Sequence, residues 1–118
     1  MEATTIHGTL AVLCPPGGPK LGSEQDALAL RGAGDEQDAG LIVVPVERMA
    51  PEFFTLGNGM LDAFVHRLTR AGRRVAFVGD LADSIAGSAA LADFVRRSNE
   101  EGVVLFVRTR EELVARLA

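Results

Sequence analysis

The sequence predicts a single α/β domain built on one mixed, mostly parallel sheet with crossover helices. Three observations carry that expectation. First, Leu41-Ile42-Val43-Val44, Val75-Ala76-Phe77-Val78 and Val103 to Val107 are apolar at nearly every position. A strand apolar on both faces is covered on both, which is the situation of an interior parallel strand. Second, the stretches between these runs carry apolar residues at helical spacing. Third, Thr4 to Leu13 reads as two short strands or one bent strand, with Gly8 as the turn or bulge. Helices alternating with strands after such a hairpin give the order β-β-α-β-α-β-α-β-α, with right-handed crossovers packed on the sheet.

Each element has a local cause. Residues 14–22 form a surface loop, because Pro15, Pro16 and Pro19 remove backbone donors while Gly17 and Gly18 leave the chain free. Ser23 is placed as an N-cap with Asp26 three residues on, opening a short helix through Ala27, Leu28 and Leu30 that Gly32 and Gly34 end. In the next helix Leu61, Phe64, Val65 and Leu68 fall at i, i+3, i+4 and i+7, one buried stripe, and Gly72 stops it. Ser88 caps a third helix that turns Leu91, Phe94 and Val95 to the sheet. Thr109-Arg110-Glu111-Glu112 reads as a capping box opening the last helix, with Leu113 and Leu117 inward.

Composition bounds the function classes. At 118 residues the chain is the size of one domain, and 47% hydrophobic content suffices for a core resting on Leu, Val, Ala and six Phe. A net charge of -4 gives no electrostatic footprint for nucleic acid. Arg67, Arg70, Arg73 and Arg74 read as a solvated helix end. No apolar run approaches the ~20 residues that span a bilayer. With a single Cys14 and no secretory pattern at the amino end, the expected compartment is the cytoplasm.

Four blocks in order carry a family resemblance. They are Asp26-Ala27-Leu28, Pro51-Glu52-Phe53-Phe54, Ala76-Phe77-Val78-Gly79-Asp80-Leu81, and Leu91-Ala92-Asp93-Phe94 through Ser98-Asn99. Together they resemble the bacterial family catalogued as domain of unknown function 4180, over roughly residues 24 to 118. In that family the Phe pair usually runs into Asp-Leu, a basic residue, Thr and Gly; here Thr55-Leu56-Gly57-Asn58-Gly59 stands in its place. The resemblance implies no known activity. The element order is also similar to STAS domains of sulphate transporters and anti-sigma-factor antagonists, a likeness at fold level. Aligning Gly59-Met60 with the Gly-Leu of the STAS motif puts Asn58 at the phosphoacceptor serine, and Asn has no hydroxyl to phosphorylate.

The candidate site residues are Phe53, Phe54, Gly57, Asn58, Gly59 and Asp80. Gly57-Asn58-Gly59 at a helix start either receives an anion or a partner's carboxylate on exposed N–H groups, or simply caps the helix. Asp80 ends a buried strand, where α/β sheets open ligand crevices, or else caps the turn toward Ser84 and Ser88. Phe53 and Phe54 are either an anchor for a partner or core rings under the helix they introduce. Glu47 and Arg48 are expected on the same edge as an exposed rim. Asp62 and His66 suit a solvated i, i+4 pair. His7, His66 and Cys14 lack metal-ligand spacing, no base is placed to activate Cys14, and phosphate-loop, dinucleotide and nucleophile-elbow motifs are absent. The expectation is a non-enzymatic regulatory or interaction module that binds a protein partner or itself, without cofactor, metal, nucleic acid or membrane. The alternative is a receptor for an anion or nucleotide, or a weak enzyme, using the crevice at the strand carboxyl ends.

Overall fold

The computed structural model describes residues 2–55 and 59–117. Strands β1 (Glu2–Ile6) and β2 (Thr9–Leu13) form the opening hairpin. His7 and Gly8, at φ 48° and 83°, turn it. Two consecutive left-handed residues match the right-handed twist of the flanking strands. Strands β3 (Leu41–Pro45), β4 (Arg74–Val78) and β5 (Val104–Val107) then pair in parallel, in spatial order β1-β2-β3-β4-β5. Only β1 is antiparallel to its neighbour, so the sheet is mixed and mostly parallel, as expected.

The chain steps to the next strand always in one direction. Right-handed crossovers therefore put α1 (Glu24–Gln37), α2 (Met60–Leu68) and, after the short α3 (Ala82–Ala86), α4 (Ala89–Glu101) on one face. That face holds the larger core, in which Leu30, Leu61, Phe64 and Leu91 of the helices meet Ile42, Val44, Phe77 and Phe106 of the strands. On the opposite face α5 (Arg110–Leu117) buries Leu113 against a cluster containing Val43, Ala76, Leu105 and Val107. An eight-residue helix is roughly 12 Å long, whereas four strand spacings span about 19 Å. This helix packs on β4 and β5, away from the β2–β3 side of the face.

Several local expectations are corrected. The first helix does not stop at Gly32 or Gly34; it runs to Gln37 and closes on Asp38, at φ 53°. Gly34 is buried, and a Cβ there would lie 3.1 Å from Arg73 and 3.2 Å from Ile42. The glycine thus admits close packing, and tertiary contact outweighs its ~1 kcal/mol propensity cost. Leu28 points outward at 45% exposure, so Ala27, Leu30 and Gly34 form the buried stripe instead. The segment after Asp80 forms α3, which had no periodic signal because it is five residues long. Helix α2 ends at Leu68 and a 3-10 turn, Arg70–Gly72, follows. In the last cap Thr109 Oγ1 accepts from Glu112 N at 3.1 Å, but Glu112 reaches the Arg108 N–H rather than that of Thr109.

Of the four arginines at the end of the second helix, Arg67, Arg73 and Arg74 are rivets, and only Arg70 is exposed as a solvated helix end would be. Arg67 pairs with Glu24 across α1 and α2. Arg73 pairs with Asp35 at 2.9 Å while its Nε donates to Ala39 O at 2.9 Å. Arg74 Nε donates to Gly102 O at 3.0 Å.

Candidate binding cleft

The structure places Phe53 and Phe54 in the core, at 0% and 9% exposure. A 3-10 turn, Pro51–Phe54, delivers them beneath α2. Phe53 makes T-shaped contacts with Phe54 and Phe64, each at 5.0 Å, and Phe54 meets Phe77 at 5.9 Å. Packing is therefore the role that geometry supplies for this pair. Gly57 and Asn58 lie outside the described residues. Gly59 precedes α2 at φ 76°, where a residue without Cβ is the low-cost choice. Asp80 is exposed, and its Oδ1 accepts from Ala82 N at 2.9 Å, opening α3 as an Asx turn. It also borders a depression of 180 Å³ shared with Val107 and Arg108.

A larger cleft opens where the short α5 leaves the sheet uncovered. Its volume is about 510 Å³, within the range of small-molecule sites. The register explains its floor. Glu2, Leu13 and Val43 are successive cross-strand partners, as are Pro45 and Val78 one pleat further on, so their side chains share one face. Cys14, Pro15 and Pro16 supply one wall, and Arg108 and Arg110 stand at the other side beyond β5. The cleft lies at the carboxyl ends of β2, β3 and β4, the edge where α/β sheets take ligands.

Arg48 builds the wall. Its Nη1 donates to Pro15 O at 2.8 Å and its Nε to Pro19 O at 2.8 Å, with Cys14 Sγ 3.8 Å from Nη1. A loop with three prolines has few ladder donors, so one guanidinium fork substitutes for a strand. Gly18, at φ 121°, lets the loop close over it; a Cβ there would sit 2.8 Å from Arg48 Nη2. Leu21 N donating to Arg48 O at 2.9 Å and Ala50 N to Leu21 O at 2.7 Å anchor the loop's far end. Arg48 is thus a half-buried clasp rather than an exposed rim residue, while Glu47 is exposed on the rim as expected. Burial pushes the Cys14 thiol above its ordinary range despite the opposing Arg48 charge, which keeps it protonated and a weak nucleophile.

Asp62 and His66 line a shallow groove between α2 and α4 but form no ion pair among the described residues. Among those residues no group of three or more His, Cys, Asp or Glu could hold a metal ion. No described helix is long and apolar enough to cross a membrane.

The family model described as "Domain of unknown function (DUF4180)" matches residues 7–117, nearly the whole chain. The chain belongs to the DUF4180 family. No curated protein and no solved structure matches it. The DUF4180 blocks seen in the sequence mostly carry the fold. Asp26 completes the α1 capping box with Ser23, and Ala27 is fully buried behind it. Asn99 accepts from Phe106 N at 2.8 Å and donates to Phe106 O at 3.2 Å, closing the outer edge of β5 with its amide. Gly79, at φ 150°, brings the end of β4 against Val46, whose Cβ would lie 2.8 Å from an added Cβ. Of these blocks only Val78 and Gly79 reach the cleft. Sequence reasoning missed most of the cleft because its lining comes from segments far apart in the chain, and Arg48 carried no local signal of a clasp.

Proposed function

We propose that this DUF4180 protein is a non-enzymatic binding module that holds a small amphipathic ligand at the carboxyl edge of its sheet. The observation that carries the reading is the 510 Å³ cleft with an apolar floor, a clasped loop for one wall and charged groups at its rim. Occupancy of that cleft is then a regulatory signal, the kind of role the likeness to STAS modules suggests. A cytoplasmic setting accords with a free, buried Cys14. A thermal-shift panel of amino acids, short peptides, nucleotides, sugar phosphates and lipids tests the proposal. A ligand at a hundredfold excess over its Kd stabilises the native state by about 2.7 kcal/mol. Val78→Arg, which fills the floor, removes that shift. Failure of every compound to stabilise the protein, or an undiminished shift in Val78→Arg, overturns the reading.

A further inference from the structure

The charged residues that line the cleft are sorted by sign, although Lys20, whose Nζ donates to Glu47 O, and the Arg48 clasp put cations next to Glu47. Glu2 stands on the β1 side and Glu47 beyond β3, while Arg108 and Arg110 follow β5. All four are exposed, and none of their side chains pairs with a described residue. Of the other arginines, Arg31, Arg67, Arg73, Arg96 and Arg97 form ion pairs, and Arg48, Arg74 and Arg116 donate to backbone carbonyls. Between the two poles runs the apolar floor of Leu13, Val43, Pro45 and Val78. A ligand complementary to this arrangement is positive at one end, negative at the other and apolar between.

Resting on the binding reading above, we infer that the cleft takes a short apolar peptide with both termini free. Its ammonium faces Glu47, and its carboxylate faces Arg108 and Arg110, where a guanidinium offers two parallel donors; Glu2, two strand spacings further out on β1, adds only long-range attraction. The lengths agree. Glu47 and Arg108 follow strands two spacings apart, about 10 Å, and an extended peptide covers ~3.3–3.6 Å per residue, so about three residues bridge the poles. A single amino acid cannot reach both poles. A nucleotide can place its phosphate at the arginines, but its neutral base brings no cation to Glu47.

Calorimetric titration with trivaline, N-acetyl-trivaline and trivaline amide tests the inference on the full chain. Trivaline binds one to one, and removing either terminal charge weakens binding about tenfold or more, the scale of one charged hydrogen bond. Arg108→Glu combined with Arg110→Glu weakens trivaline similarly but leaves the amide's affinity unchanged. Glu47→Lys does the same for the free peptide against its acetylated form. Capped peptides that bind as well as the free one overturn the inference. So does loss on amidation alone, which points to the carboxy-terminal tail of a protein instead. If trivaline fails while another compound of the panel binds and is lost in Val78→Arg, the peptide inference falls and the cleft reading survives. If nothing binds, both fall.

Discussion

Replacing Phe53 by Ala separates a core ring from an interface ring. The side chain is 0% exposed and lies 5.0 Å from the rings of Phe54 and Phe64 and 5.9 Å from Phe77. An aromatic side chain buries ~150–250 Å², and at about 25 cal/mol per Å² that is roughly 4–6 kcal/mol of transfer free energy, of which Ala keeps a minor part. Each edge-to-face pair adds ~0.5–1.5 kcal/mol, and the surrounding helix and sheet relax only partly into the vacancy. The expected loss is therefore about 4 kcal/mol, inside the ~3–5 kcal/mol range of buried Phe→Ala changes. Against a total of ~5–15 kcal/mol this is a large fraction. Urea unfolding followed by circular dichroism reads it as a lower midpoint at unchanged m, since the surface exposed on unfolding barely alters. Phe94→Ala is the internal comparison: Phe94 is half-buried with one ring contact, to Phe106 at 6.1 Å, and the expected loss is ~1–2 kcal/mol. A Phe53→Ala loss below about 1 kcal/mol, or one no greater than that of Phe94→Ala, refutes the assignment of Phe53 to the core.

Three further outcomes follow from the geometry. Asn99→Ala strips both hydrogen bonds from Phe106, costs about 2–3 kcal/mol and exposes the β5 edge, so size-exclusion chromatography at rising concentration shows new association. Unchanged stability and a concentration-independent elution volume contradict the edge-closing role. Gly79→Ala forces a Cβ to within 2.8 Å of Val46 Cβ at a φ of 150°, and the strain costs ~1–3 kcal/mol; a neutral effect in denaturant titration rejects that account. Asp26 is partly buried, which alone would raise its carboxyl, but hydrogen bonds from Ser23 and Gly22 and the Arg48 charge outweigh this and hold it low. A depressed carboxylate contributes stability above its unfolded value near ~3.9 and loses it as pH falls through the folded value. Asp26→Ala is therefore destabilising by about 1 kcal/mol at neutral pH, and its deficit shrinks below about pH 4. A deficit that stays constant down to about pH 2.5 speaks against the capping box as its source.

The sequence by itself determined the strands, the four longer helices and their order, because those signals are local; the five-residue α3 was beyond them. The i, i+3, i+4, i+7 stripe of Leu61, Phe64, Val65 and Leu68 is buried as its spacing requires. Ser23 and Ser88 cap helices through bonds of 3.1 Å to Asp26 N and Leu91 N, which need only residues three apart. Three apolar runs became β3, β4 and β5, their side chains divided between the two cores, with Val103, 43% exposed, left outside β5. The tertiary structure decided the rest. Gly34 reads as a helix stop until Ile42 and Arg73 are packed against it. Phe53 and Phe54 have the same sequence whether they face a partner or the core, and the fold chose the core. The cleft exists because a short last helix cannot cover a five-stranded sheet, so residues as distant as Glu2 and Arg110 share one opening. Periodicity records which neighbours along the chain share a face; it holds no record of which charges meet across a sheet once the strands are laid side by side.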